Sequence, residues 1–462
     1  MLLFTACSSA DDVAADGLTP EEEAAIIAEA GKNSEVQIRL GFGSQSNPSS
    51  ITRAPLESDE AKLFSTPDGQ YLGVFCLAQK PQVAVATPGP KAENLIDWNA
   101  TSTMLTYLLA QNQPAKVVKL EESSNTIGNV TTTQHVSDVQ FMDLTTINEV
   151  NPANRLVKHY YYPYGNWYNY YFYAYYPWQN SGVTQGARQV TVDYTLDGTQ
   201  DIIWGKAIPT TSTQNANPTS DVDRGFNAKY FRDKQNAETG MNQLEDLPNL
   251  SLTHTMAQLR FYIKCTDIRY TTGSYSVDNF KLADLQLKDV PKTWTLNVAD
   301  RTTPANEGKV TWKEGSGKVN IPIIDLTSDA AAFDGNAATY VPIPYSADGS
   351  AETLVGYAMI PTTDMMVDAI NGGFTYENAP AAAELKKPYI TLTLYIKGET
   401  WTSDAQQIQL PVTSQKFEAG KVYNIILNIP VPVEINARAT LDQWGVVSTT
   451  TDSEQNINMT IQ

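Results

Sequence analysis

The chain has 462 residues and a formal charge of −19 at pH 7. That excess of carboxylates works against nucleic acid and anionic membrane surfaces, either of which calls for clustered Lys and Arg. Charged residues are only 18% of the chain while Tyr alone numbers 24, and the many Tyr, Thr, Val and Ile favour sheets over helices, so an extracellular all-β protein of two domains is expected.

The N-terminal "MLLFTACSSADD" has the form of the end of a lipoprotein signal: a short apolar stretch, small residues at Thr5 and Ala6, then Cys7 followed by Ser and acidic residues. Cleavage before Cys7 would leave a lipidated cysteine and a stable two-chain anchor. Residues 8–34 are acidic and rich in Ala, and "TPEEEAAIIAEA" carries helix-start grammar, with Thr19 as cap, Pro20 in the first turn and Glu22 at the capping-box position. Next, "EVQIRLGFG" alternates Val36, Ile38, Leu40 and Phe42 with polar or small residues, the pattern of a strand with one buried face. A polar run, Ser46 to Glu60, follows and holds the isolated Arg53.

Further strands include "YLGVFCLA" from Tyr71 to Ala78. The segment from His159 to Trp178 is half tyrosine, and within it "YNYYFYAYYP" reads as a strand with both faces aromatic. Two readings stand side by side: a stacking platform for sugar rings built on Tyr168, Tyr170, Tyr173 and Trp178, or a core strand with hydroxyls at its rim. "RQVTVDYTL" alternates again, and "DIIWGKA" (Asp201 to Ala207) is expected to close the first domain. From Ile208 to Asn249 the chain turns polar, the expected boundary. A second series of strands starts at "LTHTMAQLRFYIKC" and continues through "FKLADLQLKD", "KVNIPII", "YITLTLYIKG" and "KVYNIILNI", the spacing of a β-sandwich. "PTTDMMVDAI" (361–370) is expected as a short helix.

Constellations for catalysis are few. His135, His159 and His254 are scattered, and "EGSGKVN" has Val319 where a phosphate-binding loop needs Ser or Thr after Lys318. Asp221 and Asp223 in "SDVDRGFN" lack calcium-loop spacing. Three cysteines are too few for a disulfide framework; Cys76 and Cys265 sit in apolar runs and are expected as buried free thiols. A non-enzymatic chain with no metal and no cofactor is the expectation.

Taken in order, "FTACSS" (4–9), the strand followed by "TRAP" (52–55), "GVFCL" (73–77), "DIIWGKA", "HTMAQLRFYI" (254–263), "FEAGKVYNIILNI" (417–429) and "LDQWG" (441–445) resemble the fimbrillin-like family, the subunits of type V pili of Bacteroidetes. The resemblance covers nearly the whole chain. It implies two transthyretin-like β-sandwich domains with Greek-key connections and few helices, export as an outer-membrane lipoprotein, and display at the cell surface in a fimbria. It also implies removal of the N-terminal segment by an Arg-specific protease cutting between Arg53 and Ala54, in the kind of exposed polar stretch that proteases reach. On that basis the expected layout is 1–34 signal remnant and acidic tether, 35–210 first domain with 35–53 removed, 211–249 interdomain loops, and 250–462 second domain.

Removal of the strand bearing Val36, Ile38, Leu40 and Phe42 would uncover a groove. The final "NINMTIQ" alternates Ile457, Met459 and Ile461 against polar residues, so 453–462 has the pattern of a donor strand completing the sheet of another subunit. Such a head-to-tail contact does not close and builds a filament. Expected partners are other copies or related fimbrial subunits, the maturing protease, and a surface glycan or protein. The rival expectation is a surface lipoprotein that binds glycans through its aromatic cluster without polymerising, or a tip or anchor subunit.

Overall fold

Alternation of apolar and polar side chains sets the strands. In Gln189–Thr195, Val190, Val192 and Tyr194 are buried and the residues between them are not, the period of a pleated strand with one face inward. The computed structural model describes residues 37–42, 70–81, 98–99, 108–119, 123–127, 130–134, 137–162, 168–207, 226, 248–272, 275–313, 315–323, 340–361, 365–367, 374–376, 389–402, 419–431, 445–447 and 454–460. Strand is their dominant regular structure, as composition led one to expect; the helical pieces among them are short, at Arg269–Thr272, Pro152–Asn154 and Pro304–Asn306.

The first strands are β1 (Gly41–Phe42), β2 (Leu72–Pro81), β3 (Leu108–Lys119), β4 (Ser123–Ile127), β5 (Val130–Gln134), β6 (Ser137–Phe141), β7 (Tyr168–Tyr176), β8 (Val183–Gln185), β9 (Gln189–Thr195), β10 (Ile203–Ala207) and β11 (Asn249–His254). Seven of them form a closed ring in the order β1-β11-β10-β7-β2-β3-β6 and back to β1. Every pair in the ring is antiparallel except one: β1 runs parallel to β11 and antiparallel to β6. The ring is therefore closed by two residues that precede all its other strands in sequence.

The remaining strands are β12 (Met256–Lys264), β13 (Phe280–Pro291), β14 (Thr293–Asp300), β15 (Val310–Trp312), β16 (Lys318–Pro322), β17 (Val341–Pro342), β18 (Thr353–Pro361), β19 (Met365–Val367), β20 (Phe374–Tyr376), β21 (Tyr389–Ile396), β22 (Glu399–Thr402), β23 (Val422–Asn428), β24 (Gly445–Val447) and β25 (Glu454–Thr460). One sheet has the order β18-β12-β23-β25-β24, and another β16-β13-β21-β22 with β17 also on β13. The β21–β22 hairpin turns on Lys397 and Gly398, both at positive φ (49° and 100°), as the tight turn that matches strand twist demands.

Two features cross the boundary expected at 211–249. The strand β11, beyond it, belongs to the first ring, and β14 pairs with β9 in the sheet β15-β14-β9-β8. The chain passes from the ring to the next sheet at buried Thr255, whose amide and hydroxyl both donate to the carbonyl of Ile202 at 2.9 and 2.7 Å. The run "LTHTMAQLRFYIKC", read from sequence as opening the second series, is thus divided between β11 and β12. Within the polar 211–249 stretch, Phe226 is buried: its carbonyl accepts from the Tyr170 amide at 3.0 Å and its ring lies 5.9 Å from that of Phe172.

The helix expected at 361–370 is corrected: Met365–Val367 is a strand paired antiparallel with Phe374–Tyr376. The overlooked signal is Asn371-Gly372-Gly373 between them, a turn sequence that joins flanking apolar residues into a hairpin. Among the described residues the main apolar core runs from Ile38 to Val431 through both halves and includes Cys76 and Cys265, which are free and buried as expected; burial raises both thiols, Cys76 strongly.

Candidate functional site

The site with the most distinctive geometry is the slot between β6 and β11, filled by residues 37–42. The amide of Ile38 donates to the carbonyl of Tyr160 at 2.8 Å, that of Gly41 to Pro248 at 3.0 Å, and the carbonyl of Leu40 accepts from Val139 at 3.2 Å. Gln37 forms an antiparallel bridge with Tyr161, and its Nε2 lies 2.6 Å from His159 Nδ1. Ile38 and Leu40 are buried while Arg39 between them is half-buried. At about 1.5–3 kcal/mol for each fully buried side chain, these two alone hold the segment by about 3–6 kcal/mol. Of the strand predicted from sequence, Phe42 lies in β1, whereas Val36 lies outside the described residues, as do Cys7, Arg53 and Ala54.

The C-terminal strand occupies its own sheet. β25 runs parallel to β23 and antiparallel to β24, with Ile457 opposite Ile425 and Met459 opposite Leu427, both of which are buried. Ile461 lies outside the described residues. The polarity of this position matches that of the slot, since each has one parallel and one antiparallel flank.

Of the four aromatic residues considered as a sugar platform, Tyr170 and Tyr173 belong to the core. Tyr170 and Tyr173 are each 2% exposed, and the Tyr173 hydroxyl donates to Glu307 Oε1 at 3.0 Å. Trp178 is half-buried, its Nε1 donating to the carbonyl of Asn112 at 3.1 Å and its ring edge-on to Tyr71 at 6.3 Å. Tyr168 begins β7. The reason for the correction is position: β7 lies between β2 and β10 inside a closed ring, so the inward side of the strand is core. Burial pushes the phenols of Tyr175 and Tyr194 well up from their ordinary value.

His254, expected as a satisfied strand histidine, has its Nδ1 2.7 Å from Asp201 Oδ2. Together with Thr255 on Ile202, the pair fastens the crossing between ring and second sheet. Sequence reasoning missed the lock beside it. Glu307 Oε2 pairs with Lys206 Nζ at 2.6 Å, and its Oε1 accepts from Tyr173 and from the Asp300 amide at 3.1 Å. Two sequence-distant side chains, Lys206 and Tyr173, meet on this one carboxylate with the nearby Asp300 amide, and no local pattern announces it.

The fold and slot thus define an all-β protein whose first ring is completed by its own N-terminal segment. No family model and no curated protein matches the chain. Among solved structures it is similar to a candidate cell adhesion protein from Bacteroides uniformis, at 12% identity over 92% of this chain and 96% of that one, with a TM-score of 0.33. It is also similar to the tip fimbrial protein Mfa3 from Porphyromonas gingivalis with a C-terminal truncation, at 10% identity over 86% and 96% of the two chains with a TM-score of 0.29. The fimbrial anchor protein Mfa2 from the same organism is 10% identical over 80% and 81%, with a TM-score of 0.24.

Proposed function

We propose that the chain is a structural subunit of a cell-surface fimbria, exported as a lipoprotein on Cys7, cut between Arg53 and Ala54, and joined to further copies by strand exchange. The observation that carries this reading is the slot: the ring is closed by residues 37–42, which precede the expected cut and lose their covalent tie to the ring when it is made. A strand entering the vacated slot in the orientation of β1 runs parallel to β11 and antiparallel to β6, and in either orientation it has one parallel and one antiparallel flank. β25 already lies between one parallel and one antiparallel neighbour, and the alternation of Ile457, Met459 and Ile461 suits a half-buried strand. The ordered sequence resemblance to fimbrillin-like subunits supports the same reading.

The first test is the N-terminal sequence of filaments recovered from cells, expected to begin at Ala54; a lipidated Cys7 on polymerised material would sink it. Deleting Ser453 to Gln462 is expected to abolish filaments. A second reading, a tip or anchor subunit that does not donate a strand, is favoured by the pairing of β25 within its own sheet. The double variant Asn424→Cys with Asn456→Cys, at positions directly opposite in the β23–β25 ladder, separates the two. Oxidation is expected to stop filament growth and reduction to restore it; no growth by the reduced form either would support the second reading, and growth by the oxidised form would show that β25 is not the donor.

A further inference from the structure

Among the described residues, the large hydrophobic side chains most open to solvent fall in two places. The first is the segment 144–161, with Leu144, Val150 (94% exposed), Leu156, Val157 and Tyr161. It is firmly tied: the Asp143 amide donates to the carbonyl of Leu156 at 2.9 Å, the Leu156 amide to Thr146 Oγ1 at 2.9 Å, and Arg155 Nε to the carbonyl of Glu149 at 2.9 Å. The second is the loop that follows β12, with Ile268 (61%) and Val277 (50%). It too is held. The Tyr270 amide donates to the carbonyl of Asp267 at 2.9 Å, the Tyr270 ring stacks on Tyr345 at 5.2 Å, and Tyr275 lies 5.8 Å from Phe280 with Lys397 Nζ over its face. Ordered loops that hold apolar groups outward mark surfaces of contact.

Each place adjoins one half of the proposed strand exchange. The Ile38 amide donates to Tyr160 and Gln37 bridges Tyr161, so the upstream end of a strand seated in the slot as β1 is lies beside the first patch. Among the described residues β24 pairs only with β25, so a departing β25 takes β24 with it and the donated arm is rooted at Val431. The backbone of Val431 bonds to Asp267, next to Ile268, and the Ile429 amide donates to the carbonyl of Lys264 at 2.8 Å. The arm therefore springs from the second patch. Charge permits the two patches to meet. In a chain of net charge −19, residues 143–161 balance Asp143 and Glu149 with Arg155 and Lys158, and residues 264–279 balance Asp267 and Asp278 with Lys264 and Arg269. Two copies approach there without the repulsion that their net charge imposes elsewhere.

We propose that the two patches are the two sides of one contact between copies, with Ile268 and Val277 of one copy against Leu144, Val150, Leu156 and Val157 of the next. Their head-to-tail meeting rests on the filament reading given above. A contact of this kind is heterologous, so a row of copies keeps one patch of each kind open at its ends. Patches this small place it in the weak, transient class, and it brings the root of the arm to the slot before any strand is exchanged.

The test uses the full chain with Arg53→Ala, which stays uncut and exchanges no strand. In sedimentation velocity it is expected to associate at about 0.1–1 mM. Val150→Ser with Leu156→Ser removes one side of the contact, and Ile268→Ser with Val277→Ser the other; as exposed positions, all four tolerate the change. Each double variant alone is expected to stay monomeric, while their equimolar mixture gives dimers and nothing larger. A monomeric Arg53→Ala chain at every concentration overturns the proposal. So does association of either double variant alone, which would mean that a patch meets its own copy or that the contact lies elsewhere. A photo-cross-linking residue at position 150 of the Arg53→Ala chain decides the pairing independently: products on 264–279 of a second chain support it, and products elsewhere or none refute it. Filaments of the unaltered chain are scored separately by electron microscopy, so docking without filaments and filaments without docking show which of the two readings fails.

Discussion

Gly73 faces the ring of Tyr175 so closely that an added Cβ would lie 2.2 Å from its Cε1. The ring has no room to yield, because its hydroxyl donates to Asn112 and it meets Phe75 and Tyr194 at 6.2 and 6.4 Å. Gly73→Ala is therefore expected to lower stability by about 1–3 kcal/mol, the cost of overpacking, read as a shifted urea midpoint at unchanged slope. Asp143 makes a different prediction. Its carboxylate accepts from the Thr145 amide at 2.8 Å and from the Thr145 hydroxyl at 2.7 Å, and these bonds hold it below the ordinary carboxylate value. The turn is thus fully supported above that ordinary value and loses this support as pH falls through the lower folded value. A carboxyl titration followed by NMR should place the midpoint below 3.8, with the Thr145 amide shifting in step; a midpoint at or above it would refute the bond.

Elements differ in how much of them their own sequence reveals. The alternation of Val190, Val192 and Tyr194 specified β9, and that of Ile38 and Leu40 specified which side chains of the first segment go inward. What alternation leaves open is the partner strand, because period 2 says which face is buried and nothing about which chain lies alongside. Hence the run that holds β11 and β12 reads as one element, Phe226 does not stand out in its polar run, and the alternation alone leaves Tyr170 and Tyr173 open to two readings that the ring, with both buried, decides. The 365–367 strand was missed for a simpler reason: three residues are too few to show a period. One prediction belongs to this scale. Leu40→Ala is expected to cost about 2–5 kcal/mol in the uncut chain and nothing in material that has lost residues 1–53, and thermal melts of the two forms compare them directly.

At the scale of the molecule, the pairing of β9 with β14 places strands from both sides of the expected boundary in one sheet, and the lock of Glu307 on Lys206 and Tyr173 ties the ring to the turn that follows β14. The apolar core continues through both. The two halves are accordingly expected to melt in one calorimetric transition whose van't Hoff and calorimetric enthalpies agree; two separated peaks would show that the shared sheet does not couple them. The parallel contact of β1 with β11 bears on folding order as well. Phe42 must wait for Leu250, and closing a loop of about two hundred residues is among the slowest contacts a chain makes. Although it precedes the other ring strands in sequence, the closing strand is expected to be among the last parts of the ring to find its place, and a ring formed without it would have the same open groove that processing would later recreate.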